Sequence, residues 1–230
     1  MENQYCYKYP RPALTTDQVI FGFGEGELRV LLIRRGNEPF KGKWALPGGF
    51  MDMDEDAETC ARRELEEETG LKVVNFEQLY AFSDVDRDPR YRVVSIAYYA
   101  LVRWEDCKVK AGDDADRAQW FPLSGIPPLA FDHRRILQMA ADRLKLKARY
   151  RPIGIDLLPP EFKMADLRHL YESVLQCTLD RDNFRRKMVG LLVDAEQENR
   201  AKNGRKVRYY RFDRVKYRYF TEKGFYLKWE

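Results

Sequence analysis

The stretch "PGGFMDMDEDAETCARRELEEETGL", Pro47–Leu71, decides how this chain is read. Carboxylates crowd it, and Glu66, Glu67 and Glu68 are consecutive. The pattern predicts a helix from about Asp54 to Thr69, stopped by Gly70. On an α-helix, residues three and four apart share a face, so Glu64, Glu67 and Glu68 project together. Like charges placed so weaken a helix unless a cation bridges them. Magnesium suits such oxygen donors, together with phosphate oxygens. Gly48-Gly49 lets the backbone approach closely and can add a carbonyl ligand. Taken alone, three such glutamates are more often an acidic face turned to water.

Outward from this helix, the front of the chain reads mostly as strand. "TTDQVIFGFG" (Thr15–Gly24) and "ELRVLLIRRG" (Glu27–Gly36) are apolar and suit a hairpin turning at Gly24-Glu25-Gly26. "YRVVSIAYYALV" (Tyr91–Val102) predicts a long strand and "AQWFPL" (Ala118–Leu123) a short one. A second helix fits "DHRRILQMAADRLKLK", with Ile136, Met139, Ala140, Arg143 and Leu144 on one face. The front is therefore α/β.

The back half differs in charge. Residues 1–144 carry 20 Lys+Arg against 25 Asp+Glu, a net of −5, and residues 145–230 carry 21 against 12, a net of +9. Two domains with different partners follow, 1–148 and 149–230, the second suited to a polyanion. "ARYRPIGIDLLPPEF" (Ala148–Phe162) reads as linker and short strand. In "KMADLRHLYESVLQ", Met164, Leu167, Leu170, Tyr171, Val174 and Leu175 recur at helical spacing. "RDNFRRKMVGLL" follows with Phe184, Met188, Leu191 and Leu192 on one stripe, and Asp180 suits its N-cap. Asn203-Gly204 signals a hairpin, followed by a basic–aromatic strand. Two helices, a short turn and a hairpin make the order of a winged helix-turn-helix.

At 230 residues the chain is long enough for two small domains with real cores. No apolar run reaches the ~18–20 residues that a membrane span needs, and Met1–Pro12 lacks the apolar stretch of a secretory signal. Cys6, Cys60, Cys107 and Cys177 lie far apart, which predicts packing thiols in a reduced, cytoplasmic setting.

The spaced pattern itself goes further. Gly49, Glu55, Arg63, Glu64, Leu65, Glu67, Glu68, Gly70 and Leu71 occupy every fixed position of the signature of the Nudix hydrolase family, which this segment resembles. The flanking "GKWALPGGF" is similar to that family too. The resemblance implies an α/β/α sandwich with a mixed sheet, binding a nucleoside diphosphate linked to another group. It also implies Mg²⁺ or Mn²⁺ held by Glu64, Glu67, Glu68 and the Gly48 carbonyl, with Arg63 and Glu55 paired as a brace. "YPRPALTTDQVIFGF" and "AGDDADRAQWFPL" resemble ADP-ribose pyrophosphatases and their regulatory relatives. Those enzymes usually carry a Glu where Arg117 stands. Asp113, Asp114 and Asp116 are near enough in sequence to substitute.

In the basic half, Arg181, Asn183, Arg185, Arg186 and Lys187 lie on the second predicted helix. Arg205, Lys206, Arg208 and Arg211 lie on the predicted wing. Lys and Arg on phosphates supply most DNA affinity, and a recognition helix reads bases. Tyr209, Tyr210, Tyr217 and Tyr219 read as alternating strand residues packed on the helices. His133 reads as local structure at a helix start, and His169 has no partner at metal-ligand spacing. "LLPPEFKMADLRHLYESVLQCTLDRDNFRRKM" resembles the C-terminal domain of the Nudix-related transcriptional regulators, and "RKVRYYRFD" resembles their wing. The resemblance implies a homodimer on operator double-stranded DNA, responding to ADP-ribose or, in some relatives, a sugar. The rival expectation is a magnesium-dependent pyrophosphohydrolase that cleaves ADP-ribose to AMP and ribose 5-phosphate.

Overall fold

The computed structural model describes residues 7–73, 75–107, 118–195, 199–200 and 206–225. Its organising element is strand β1 (Ala13–Gly24), buried on both faces along nearly its whole length. Alternation sends Val19, Phe21 and Phe23 to one side of the sheet and Ile20 to the other. Strand β2 (Glu27–Arg34) returns antiparallel through Glu25 and Gly26, both at positive φ (55° and 79°), as a tight hairpin requires. Then come β3 (Trp44–Ala45), β4 (Gly48–Phe50), helix α1 (Ala57–Thr69), β5 (Glu77–Phe82), β6 (Val93–Arg103), β7 (Ala118–Pro122) and helix α2 (His133–Tyr150). The strands form a seven-stranded sheet in the order β3-β2-β1-β6-β5, with β4 also on β1 and β7 also on β2. β1 and β6 are parallel and the other pairs antiparallel, so the sheet is mixed, as expected.

Helices α1 and α2 lie on opposite faces of the sheet. Helix α1 begins at Ala57 rather than Asp54, because Asp56 is extended and its carboxylate caps the Thr59 N–H at 2.8 Å. It stops at Gly70, whose φ of 72° suits glycine. Its Leu65 meets Ile20, Leu31 and Ala100. On the opposite face α2 buries Ile136, Leu137, Ala140 and Leu144, whereas Arg143, placed on that stripe from sequence, is exposed. Full burial of an Ile or Leu side chain stabilises by about 1.5–3 kcal/mol, which holds this basic helix on the sheet.

The rest of the chain forms α3 (Met164–Leu175), α4 (Arg181–Met188), β8 (Leu192–Asp194), β9 (Asn199–Arg200), β10 (Lys206–Val207), β11 (Tyr210–Phe212) and α5 (Arg214–Lys223). β8 pairs with β11 and β9 with β10, both antiparallel, and these pairs form the wing. Asn203-Gly204 and Arg205 lie outside the described residues. Three expectations need correction. Leu192 belongs to β8, because α4 ends at Met188 and a short 3-10 turn (Val189–Leu191) leads out of it. Tyr217 and Tyr219 sit on helix α5, not on a strand; Asp213 caps that helix, accepting from the Val215 and Lys216 N–H groups. Cys60 is a buried packing residue, but Cys177 is exposed.

The segment read as a linker is packed rather than loose. Ile153, Leu157 and Leu158 are buried, and Phe162 bridges to Tyr210. Helix α2 itself continues to Tyr150, past the division placed at 148/149. One hydrophobic core runs from Val19, Phe21 and Leu32 through Ile136 and Leu144 to Leu167, Leu170, Phe184 and Leu191. Ser173 on α3 donates to the Gly26 carbonyl at 3.1 Å, joining the winged part to the β1–β2 hairpin.

A buried polar network ties α2 to the strand that leads into β4. His133 Nδ1 accepts from the Leu46 N–H at 2.9 Å, so the ring proton resides on Nε2, which lies 3.3 Å from Asp17 Oδ1. Asp17 also accepts from Ser95 and Arg87, and Arg87 reaches Asp132 at 2.7 and 3.0 Å. Burial lowers the His133 pKa; Asp17 and Asp132 oppose this, while Arg87 and Arg35 reinforce it. The neutral ring then stabilises the fold fully above the unfolded pKa of about 6.5, and that stability is lost as pH falls below it. The unfolding temperature should therefore drop between pH 7.5 and 5.5, and more steeply than in His133→Asn, which keeps an acceptor near Leu46 but has no imidazole. Parallel profiles in a thermal melt would contradict this.

Candidate functional site

β4 and α1 bring the acidic signature together. Gly48 sits at φ 151°, and a Cβ there would lie 2.1 Å from the Thr16 carbonyl oxygen; one on Gly49 would lie 2.3 Å from the Glu64 carboxylate. Glycine at both positions is therefore what lets the glutamates reach the strand. Glu68 Oε2 accepts from the Gly48 N–H at 2.9 Å. Burial pushes the Glu68 pKa up to about 8, with Glu64 and Asp17 adding repulsion and the Gly48 N–H opposing. Burial also raises the Glu64 pKa, against the pull of Arg63. Glu67 is exposed and meets Arg63 at 3.3 Å.

The Arg63–Glu55 brace is present. Arg63 donates to both Glu55 oxygens, at 2.6 and 3.0 Å, and to the Phe50 carbonyl at 3.1 Å. The Arg63 bonds to Glu55, with one from the Asp52 N–H, hold the Glu55 pKa down at about 2. The pair thus locks the loop after β4 onto α1. Cys60 beneath it is no nucleophile, since burial pushes its thiol up to about 11.

Two raised carboxyls, a third glutamate and a backbone carbonyl are hard oxygen donors, and their shared repulsion is what a divalent cation relieves. The donor chemistry fits such an ion. Among the described residues, however, no three His, Cys, Asp or Glu side chains are already closed round one point. Asp113, Asp114, Asp116 and Arg117 lie outside the described residues.

Sequence reading missed the basic side of this site. Arg35, at the end of β2, donates to the Pro39 and Asn37 carbonyls at 2.8 and 3.4 Å and stacks 4.7 Å from the Phe131 ring centroid. Burial and the nearby Arg90 lower its pKa, while Glu68, Asp88 and Asp17 pull it back. Arg90 is held by Asp88 at 2.7 and 3.0 Å and lies 5.2–5.8 Å from the rings of Phe50, Tyr91 and Phe131. The signal available was "RRG" at a strand end and "RDPRYR" before another. Neither has a spacing rule.

In the winged part, α4 buries Phe184 and Met188 and exposes Arg181, Arg185 and Arg186. Asp180 caps the helix through the Asn183 N–H at 2.8 Å, and the half-buried Asn183 accepts from Arg186 at 3.3 Å. Arg208, just before β11, and Arg211, within β11, are exposed, and Lys206 lies in β10. Arginines four apart on one face, such as Arg181 and Arg185, can meet a phosphate backbone and base edges together. Among the described residues no helix is long and apolar enough to cross a membrane.

A mixed-sheet α/β/α sandwich bearing this complete signature, fused to a winged helix-turn-helix, defines a Nudix fold joined to a DNA-binding type of fold. The comparisons agree. The NUDIX domain model matches residues 14–140, and the NrtR DNA-binding winged helix domain model matches residues 154–212. The "ADPR responsive transcriptional repressor NtrR" of Acinetobacter baylyi is 37% identical over 210 residues, 89% of this chain and 83% of that protein. The ADP-ribose pyrophosphatase of Methanocaldococcus jannaschii is 44% identical over 130 residues, 56% of this chain and 73% of that enzyme. Shewanella oneidensis NrtR, in its crystal structure with a 27mer DNA, superposes with a TM-score of 0.77 at 33% identity, covering 89% of this chain and 95% of that one. This chain belongs to the Nudix family, in the branch whose members carry an NrtR winged helix.

Proposed function

We propose that this protein is a transcriptional repressor of the NrtR kind, binding operator double-stranded DNA as a homodimer and sensing ADP-ribose or a related nucleotide in its Nudix domain. The carrying observation is the continuous core that joins a complete Nudix signature to an arginine-faced helix in a winged helix. The relative from Acinetobacter baylyi, described as an ADPR responsive repressor, supports the effector and the sign of regulation. On this reading residues 1–148 sense and residues 149–230 bind DNA. Arg181, Asn183, Arg185 and Arg186 read the groove, with Arg205 and Lys206 on flanking phosphates. Because both parts share one core, effector binding acts by resetting how the two winged helices of a dimer are spaced on DNA. A mobility-shift assay with fragments upstream of the gene and its neighbours tests this. A fragment preferred over random duplex at physiological salt supports it, and none preferred refutes it.

Nudix hydrolases use a divalent cation, and here the Gly48 carbonyl, Glu64, Glu67 and Glu68 would hold Mg²⁺ or Mn²⁺ against the effector's diphosphate. When bound, such an ion neutralises phosphate charge and lowers the pKa of water for attack. The protein's own share is orientation. Arg63 and Glu55 fix the loop, and Arg35, coupled to Glu68 and neighbouring Arg90, supplies a cation for the ligand's phosphates.

A second reading, pyrophosphohydrolase activity, is favoured by the intact signature and by the 44% identity to an ADP-ribose pyrophosphatase. Arg117, where such enzymes usually carry Glu, argues for slow turnover. With Mg²⁺ or Mn²⁺, chromatography should find AMP and ribose 5-phosphate forming well below the ~1–10³ per second typical of enzymes. Turnover within that range would make catalysis the primary role.

A further inference from the structure

Five residues, Gln176–Asp180, join α3 to α4, and a single ion pair on α3 grips the middle of that turn. Arg168 donates to Glu172 Oε1 at 2.7 Å, one helical turn away. The same oxygen accepts from the Leu179 N–H at 2.9 Å, and Arg168 donates to the Leu179 carbonyl at 3.3 Å. Both backbone polar groups of Leu179 are thus satisfied by α3 side chains, and its own side chain is buried in the core. The next residue, Asp180, is the cap on which α4 begins. With side-chain exposures of 24% and 18%, Arg168 and Glu172 are shielded well beyond an ordinary surface pair.

We propose that Arg168 and Glu172 are positioning residues that fix the direction of α4, and through it the choice of DNA sequence; this rests on the DNA-binding reading above. The turn has no other rigid device of comparable kind among the described residues. Gln176 is left-handed at φ 57°, and its side chain bonds only the Ser173 carbonyl behind it. Arg185 lies four residues beyond Arg181, where α4 begins, roughly 6 Å along the helix, so any swing at the turn is magnified there. Base contacts require placement to about 0.5 Å, whereas a flexible arginine follows a phosphate through larger shifts. Loss of the clamp should therefore cost discrimination rather than general DNA affinity.

The test compares the wild type, Glu172→Ala and Glu172→Gln in the full-length protein. It uses fluorescence anisotropy on the preferred genomic duplex and on a random duplex, with ADP-ribose affinity as the folding control. Losing a bond to a charged group should weaken Glu172→Ala on the preferred duplex by about 10- to 100-fold, with little change on the random one. Glu172→Gln keeps an acceptor for Leu179 and should recover most of that loss. Undiminished discrimination in Glu172→Ala, or equal loss in both variants, overturns the proposal. If Glu172→Ala does not fold, Arg168→Gln replaces it, with partial loss expected and no loss overturning. If the wild type prefers no duplex, the DNA-binding reading falls by itself. Amide exchange then decides the clamp: faster exchange at Leu179 and Asn183 in Glu172→Ala upholds it, and unchanged protection overturns it.

Discussion

Replacing Gly48 with alanine is expected to damage this protein more than any other single change near the site. A Cβ there would lie 2.1 Å from a main-chain oxygen, Thr16 O, and the residue sits at φ 151°. Neither the clash nor the backbone strain can be relieved by rotating a side chain. The strand would have to move, breaking the Gly48 N–H bond to Glu68 and the Asp17–Gly48 pairing. A cost of about 3 kcal/mol or more follows from strain and overpacking together. For a chain of this size that lowers the melting temperature by roughly 6–12 °C. ADP-ribose binding, measured by calorimetry below the melt, should vanish. Gly49→Ala should be milder, because the atoms nearest its added methyl are the end of the Glu64 side chain, which can swing away. A Gly48→Ala protein that melts with the wild type and binds ADP-ribose would contradict the site as described.

Arg185→Ala carries the largest expected effect in the other half. The side chain is exposed on α4, one turn beyond Arg181, and the buried Phe184 and Met188 fix which face it occupies. If it reaches a base edge, its loss costs about 1–3 kcal/mol, roughly 5- to 150-fold in affinity, and relaxes sequence choice at that position. Removing Arg205 or Lys206 should act differently, weakening all duplexes alike and reducing the salt slope by about one per charge lost. Titrations at several salt concentrations separate the two outcomes. An Arg185→Ala protein with wild-type discrimination would remove α4 from base reading.

The parts legible in sequence are those governed by a period or a fixed offset. The acidic helix, its Gly70 stop and the Asp180 cap each follow from residues within one helical turn or a short loop, whereas the Glu55–Arg63 brace is implied only by the resemblance to the Nudix family. Strand β5 was not legible. Its register slips between Gln78 and Tyr80, and the bulge breaks the two-residue alternation by which strands are read. Helix α5 misled in the opposite sense, since "RVKYRYF" alternates like a strand. What makes it helical is tertiary: Tyr217 donates to the Pro152 carbonyl at 2.8 Å, and Phe220 packs against the core. The Asp17–Arg87–Asp132–His133 network joins residues far apart in sequence, so no local pattern announces it. The same holds for Arg35, an ordinary strand-end arginine until Phe131 and Glu68 are brought beside it.

The central claim is that effector and operator binding are coupled, and coupling must be reciprocal. The most direct measurement is ADP-ribose affinity by calorimetry with and without saturating operator duplex, set against operator affinity with and without saturating ADP-ribose. The account predicts one factor in both directions, of about 5- to 150-fold, with ADP-ribose weakening operator binding and operator weakening ADP-ribose binding. Tight ADP-ribose binding that is the same with and without operator would contradict it, and would leave a Nudix nucleotide-binding protein whose winged helix answers to something else.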